Sequence, residues 1–316
     1  MKVSLSLSLS LSLSSLSLSL SQSLCPLYQF ISLCFCSLSL SLSGFFKVVA
    51  TLVPPLWRVY DWLDSLIYSH YQRVVMRVLY TLGNTQIWLS GAAPQKENAI
   101  CISNHQCSVD PFMIDAVAYH GQRLGNMQFI VKAALKYVPI LGSYWHQHGF
   151  VFIRRQWAKD SGALARSLGQ LETQQRPYWI CIYPEGTRRP DIILPTDLPP
   201  NVPVYEHVLA PRYRGFVACV QQLQQTCDSI YDVTIAFHCS KHPHERPAAP
   251  SLHDMMSPRW DRVCIHTQRF PVASVPKAVY AATVALAYGT ASGRKYLLYP
   301  ALVYGGLSYI WGIAMY

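Results

Sequence analysis

The chain has 316 residues, of which 13% are charged and 51% hydrophobic, with a formal net charge of +10 and a pI near 9.1. So little charge argues for one folded domain accompanied by apolar segments rather than two soluble domains. A basic excess suits nucleic acid or an anionic membrane face; with no zinc-finger spacing and no aromatic RNA-binding motif in the sequence, the expected partner is a membrane and not nucleic acid.

Residues 3–20 are almost pure Ser-Leu alternation, which returns over Ser37–Ser43. Period two gives no helical apolar face, so residues 1–43 are expected to be a low-complexity, disordered extension, with a signal-like or anchor segment as the alternative. Residues 44–97 read as a membrane-associated helical segment. Gly44–Trp57 is apolar but broken by Lys47 and Pro54-Pro55, too short for a confident span. From Leu56 to Leu82, Val59, Leu63, Leu66, Ile67, Val74, Val75, Val78 and Leu82 recur at threes and fours, with Arg58, Arg73 and Arg77 between them. That is the pattern of one or two amphipathic helices lying on a membrane, packing on a core, or both.

Residues 98–272 are expected to form the catalytic domain. Strands are predicted at Gln86–Leu89, Ala99–Ile102, Met127–Val131, Val151–Arg154, Tyr178–Tyr183 and Tyr231–Phe237, with Arg262–Gln268 as an edge strand. Helices are predicted at Asp110–Tyr119, Ala158–Thr173 and Gly215–Cys227, and a proline-rich surface loop at Asp191–Val204. Such alternation implies an α/β sheet with crossovers. Residues 273–316 hold two apolar runs, Ala278–Thr290 and Tyr296–Tyr316, around Gly293-Arg294-Lys295; they are expected to form a C-terminal transmembrane hairpin with its basic turn in the cytoplasm.

Two predicted strand ends carry chemistry. After Ala99–Ser103 come Asn104-His105-Gln106-Cys107-Ser108-Val109-Asp110, then Pro111 and a helix. A histidine in that turn meets substrate, and Asp110, the expected N-cap, can bend back to one imidazole nitrogen and leave the other free as a base. A capping Asp beside a turn His is the bland alternative. Roughly eighty residues on, a second apolar strand ends in Pro184-Glu185-Gly186-Thr187-Arg188, where glycine permits close backbone approach and Arg188 offers a fork for phosphate. Two such turns suit one active site at the carboxyl edge of a sheet. The ten cysteines include no CxxC pair, and His238, His242 and His244 lack a completing ligand, so no metal is expected.

N-H-x4-D followed by P-E-G-T-R resembles the 1-acylglycerol-3-phosphate acyltransferase family. Between them, Gly149-Phe150-Val151-Phe152-Ile153-Arg154-Arg155 looks like the family's G-x-x-F-I-x-R block, and Phe129–Pro139 is similar to its lysine-bearing segment. Val208-Leu209-Ala210-Pro211-Arg212 and Ile230-Tyr231-Asp232-Val233-Thr234 resemble the epsilon-type and lysocardiolipin acyltransferase branch. The resemblance, from about Leu56 onward, implies a mixed sheet flanked by helices and acyl transfer from acyl-CoA, as co-substrate with no bound cofactor, to lysophosphatidic acid. It implies His105 as general base with Asp110 behind it. It places Arg155 and Arg188 on the acceptor phosphate, Lys132 on that phosphate or on coenzyme A, Glu185 as a residue that holds the loop or orients an acceptor hydroxyl, Gly186 in that loop, and Thr187 as a cap or a phosphate donor. The expected location is the endoplasmic reticulum membrane, with the mitochondrial outer membrane as alternative. A lysocardiolipin or lysophosphatidylglycerol acyltransferase is the second enzymatic reading. A catalytically silent membrane protein is the third, because relatives carry a longer polar stretch before the C-terminal runs.

Overall fold

The computed structural model describes residues 43–186, 212–239, 249–256 and 260–274. The Ser-Leu extension, Thr187, Arg188, the proline-rich loop, His242, His244 and the C-terminal apolar runs lie outside the described residues. Among the described residues no helix is long and apolar enough to cross a membrane.

Seven strands form one sheet. In chain order they are β1 (Gln86–Gly91), β2 (Ala99–Ser103), β3 (Met127–Lys132), β4 (Val151–Ile153), β5 (Trp179–Ile182), β6 (Ser229–His238) and β7 (Arg262–Pro271). Their spatial order is β1-β7-β6-β2-β5-β3-β4. The run β6-β2-β5-β3-β4 is parallel, whereas β7 runs antiparallel to β6 and carries β1 parallel to itself. The α/β sheet expected from the alternation is therefore present, and it is mixed, as the resemblance implies. β7 is a correction: it was expected at an edge, but its backbone is hydrogen-bonded on both sides, by β1 and β6, and β1 forms the edge. Its alternating side chains do suit a half-covered strand; its position depends on β1, far upstream, where Gln86 pairs with Arg262, which no local pattern reports.

The central strands β2 and β5 are buried along their whole length because helices cover both faces. Alternation sorts their side chains. Ala99, Cys101, Trp179 and Cys181 face a layer containing Tyr68, Met76 and Leu79 of α2 (Trp57–Gly83) and Met113, Ile114 and Val117 of α3 (Asp110–His120). Ile100, Ile102, Ile180 and Ile182 face Leu164, Leu168 and Leu171 of α5 (Trp157–Gln174) and Val220 and Leu223 of α6 (Tyr213–Leu223). A shorter helix, α4 (Leu141–His148), precedes β4, residues 43–52 are helical ahead of α2 (α1), and α7 (Leu252–Met255) is a single turn.

α2 is one helix of 27 residues. Its packed stripe is Tyr60, Asp64, Tyr68, Ser69, Gln72, Met76, Leu79, Tyr80 and Gly83, while Val59, Leu66 and Leu82 from the apolar periodicity are exposed. Polar residues enter the packed stripe because they find partners. Asp64 Oδ2 lies 2.7 Å from His148 Nδ1 and 3.6 Å from Arg176 Nη2, and Gln72 Nε2 donates to the Tyr68 hydroxyl at 2.8 Å. Burial pushes the Asp64 carboxyl up, but His148 and Arg176 outweigh it and hold the group below the usual carboxylate range.

Candidate active site

β2, β5, β3 and β4 run parallel, so the turns that follow them open on the same edge. Each sequence motif occupies one: His105 follows β2, Glu185 and Gly186 follow β5, Lys132 ends β3, and Arg155 lies just beyond β4. Adjacent strands bring the first two together.

Asp110 is the first residue of α3, with Val109 as the N-cap and no side-chain cap present. The expectation of an Asp110 cap is thereby corrected, because its carboxylate turns back onto the preceding turn. Oδ2 accepts from the Gln106 N–H at 2.7 Å, the Cys107 N–H at 2.8 Å and His105 Nδ1 at 2.9 Å, and Oδ1 accepts from Cys107 Sγ at 3.2 Å. An ionised carboxylate only accepts, so Nδ1 carries the proton and Nε2 presents its lone pair. Nε2 makes no hydrogen bond among the described residues. Asp110 is fully buried, whereas the His105 side chain keeps 15% of its exposure. The dyad thus joins a shielded anion to an imidazole that a substrate can touch.

A second His–Asp pair shows what this arrangement selects. His148 and Asp64 are closer, but His148 Nε2 also lies 3.1 Å from the Met127 carbonyl, and Tyr68 stacks on the ring at 4.1 Å. Both nitrogens are engaged and the side chain is 2% exposed, so His148 is a structural residue.

Four neighbours fix the His105 turn. The Glu185 carboxylate accepts from the His105 backbone N–H at 2.8 Å, coupling the two motifs directly. Asn104 mimics a strand residue: its Nδ2 donates to the Ile235 carbonyl at 2.9 Å, and its Oδ1 accepts from the Ile235 N–H at 2.8 Å. Gln106 Nε2 reaches the same carbonyl at 2.8 Å. The Tyr183 ring stacks on the imidazole with centroids 4.2 Å apart. Sequence reasoning assigns no role to Asn104 or Tyr183; a polar amide ending a buried strand is the available signal for the first. Cys107 is a buried thiol pushed up by that burial and by the Asp110 carboxylate, and it serves as a donor to Asp110 rather than as a nucleophile.

Gly186 adopts φ +69°, which glycine tolerates without strain, and its N–H donates to the Tyr183 carbonyl at 3.0 Å. Lys132 and Arg155 are both exposed. At a strand spacing of about 4.8 Å they stand roughly 10 and 14 Å along the edge from His105, positions that a long substrate can bridge. The strand ends place them on the His105 edge without gathering them around the dyad. Among the described residues no group of His, Cys, Asp and Glu is arranged to hold a metal.

An acyltransferase family model matches residues 87–238, the span from β1 to the end of β6. Similar proteins include the 1-acyl-sn-glycerol-3-phosphate acyltransferase epsilon of Mus musculus, 28% identical over 73% of this chain and 65% of its own length. The probable 1-acyl-sn-glycerol-3-phosphate acyltransferase 5 of Arabidopsis thaliana is 26% identical over 62% of this chain and 52% of its own length. The delta form of Homo sapiens is 28% identical over 58% of this chain and 47% of its own length. The chain thus spans about half to two thirds of the length of these relatives. The family match falls on the stretch that builds the two coupled turns, and over residues 87–238 the chain is an acyltransferase domain similar to those of 1-acyl-sn-glycerol-3-phosphate acyltransferases.

Proposed function

We propose that this protein transfers a fatty acyl group from acyl-CoA to the free hydroxyl of lysophosphatidic acid, giving phosphatidic acid, at a membrane surface. The observation that carries the reading is the His105–Asp110 pair, with one nitrogen anchored and the other presented at the edge that holds the Glu185–Gly186 turn.

His105 Nε2 takes the proton of the acceptor hydroxyl as its oxygen attacks the thioester carbonyl. The imidazolium that forms stays bonded to the Asp110 carboxylate. The tetrahedral intermediate collapses, its C–S bond breaks, and the coenzyme A sulfur takes the proton back from Nε2. Lys132, Arg155 and, in the stretch outside the described residues, Thr187 and Arg188 are proposed to hold the phosphates of the two substrates. The membrane assignment is supported by Phe45, Leu52, Val59, Trp62 and Leu66, each more than half exposed on the two N-terminal helices, and by the net charge of +10. The proposed location is the endoplasmic reticulum membrane.

The test is purified full chain in mixed micelles with oleoyl-CoA and a panel of acceptors, read by release of free thiol. Turnover with lysophosphatidic acid that falls at least a thousandfold in His105→Ala supports the reading. A preference for lysocardiolipin or lysophosphatidylglycerol replaces the acceptor. No thiol release with any acceptor leaves a silent lipid-binding protein.

A further inference from the structure

The stretch ending in Arg212 carried a resemblance without a chemical role, and the structure gives that arginine a specific place. Its backbone N–H donates to the Pro184 carbonyl at 2.6 Å, which ties the start of α6 to the second motif turn. Its side chain then crosses Gly186. A Cβ built on Gly186 would lie 3.1 Å from Arg212 Cδ, 3.5 Å from Nε and 3.9 Å from Cζ, so the absence of a side chain there is what lets the arginine pass close to the backbone. On the other side of the same turn, Glu185 holds the His105 N–H. Arg212 is exposed and forms no ion pair among the described residues. A single short turn therefore carries the Glu185 anchor of the His105 turn and, over Gly186, an exposed arginine.

Resting on the acyl-transfer reading above, we propose that Arg212 is a specificity-determining residue that grips a phosphate monoester of a substrate over the Gly186 backbone. A guanidinium presents its donors as a fork that matches phosphate oxygens, which a lysine ammonium does not. α6, eleven residues long, begins at the next residue without a side-chain cap, so its positive end adds to the same field. A phosphate monoester is available from two sources: the acceptor headgroup of lysophosphatidic acid and the 3′-phosphate of coenzyme A.

The experiment uses the full chain in detergent with Arg212→Gln and Arg212→Lys, folding being checked by thermal melting. Equilibrium dialysis compares lysophosphatidic acid with monoacylglycerol, and kinetics compare oleoyl-CoA with oleoyl-dephospho-CoA. The expected result is a Kd and KM for lysophosphatidic acid raised roughly ten- to a hundredfold in Arg212→Gln, the range for losing one charge-assisted hydrogen-bonding group. Monoacylglycerol binding stays unchanged, kcat stays within about threefold, and Arg212→Lys falls between the two. A rise confined to the KM of oleoyl-CoA, absent with the dephospho donor, supports the grip and assigns it to coenzyme A. Unchanged affinity for both phosphate-bearing substrates in a folded Arg212→Gln overturns it. Altered binding of lysophosphatidic acid in a protein that turns over no acceptor keeps the Arg212 assignment and overturns the acyl-transfer reading instead.

Discussion

Replacing Asp110 by Asn isolates the electrostatic part of the dyad. The amide oxygen can occupy the place of Oδ2 and still accept from the Gln106 and Cys107 N–H groups and from His105 Nδ1, so the turn keeps its hydrogen bonds. The amide nitrogen takes the place of Oδ1, where the Cys107 thiol reverses from donor to weak acceptor. What disappears is the charge facing the imidazolium of the proposed reaction. With the ring about 4 Å from the carboxylate and an effective dielectric near 20, that interaction is about 4 kcal/mol, or nearly a thousandfold in rate. It exists only once the ring is charged, so the loss is expected in kcat, with KM for lysophosphatidic acid within about threefold. The assay is steady-state thiol release at saturating oleoyl-CoA, with circular dichroism to verify the fold. An Asp110→Asn protein with kcat within threefold of the parent would refute the assignment of Asp110 as the group that stabilises the imidazolium.

Glu185→Gln keeps an acceptor for the His105 N–H and is expected to retain most activity, whereas Glu185→Ala strands that donor and should lower stability by about 1–3 kcal/mol in urea titrations, with a parallel loss of turnover. Asp64→Ala leaves the buried His148 without its anion, while Arg176 keeps Asp61 at 3.1 Å; the expected loss is about 3 kcal/mol of unfolding free energy, read as a lower midpoint in denaturant, and an unchanged midpoint would rule out a stabilising role for the His148–Asp64 pair. Burial pushes the Asp232 carboxyl up to about 6, so the folded state holds this proton over a range where the unfolded chain has already released it; stability from this group falls as pH rises from about 4 to 6 and stays reduced above. Asp232→Asn should therefore raise the melting temperature at pH 7.5, by the equivalent of at most about 3 kcal/mol, and leave it unchanged at pH 4. Trp62→Glu together with Leu52→Glu should weaken sedimentation with anionic vesicles at least tenfold without altering the melt, because both side chains are largely exposed.

The parts of this molecule legible in its sequence are those set by short-range chemistry. Ala99–Ser103 and Trp179–Ile182 announce themselves because a strand covered on both faces must be apolar throughout, and the polar turns after them could only lie at a strand end. The His105–Asp110 contact follows from five-residue spacing across a turn. Less legible were features decided between distant segments. The exposed Val59, Leu66 and Leu82 share the apolar period of α2, yet the packed stripe includes Asp64 and Gln72, whose partners lie on α4, after α5 and elsewhere on α2 itself. Asp110 reads as a cap from sequence because nothing local reveals that two amides and an imidazole compete for the same oxygen. β7 looks like an edge because strand order is a property of the whole sheet.

That placement of β7 has a consequence for how the protein is made. Until the ribosome has passed Pro271, β1 has no partner in the sheet and β6 is open on one side, although the turns carrying His105 and Glu185 have long been synthesised. The nascent chain must therefore wait with two sticky borders exposed, a state that invites pairing with neighbouring chains and the attention of chaperones. A stop codon placed just before Arg262 would leave His105 and Glu185 in the product and still yield aggregate rather than a partial enzyme.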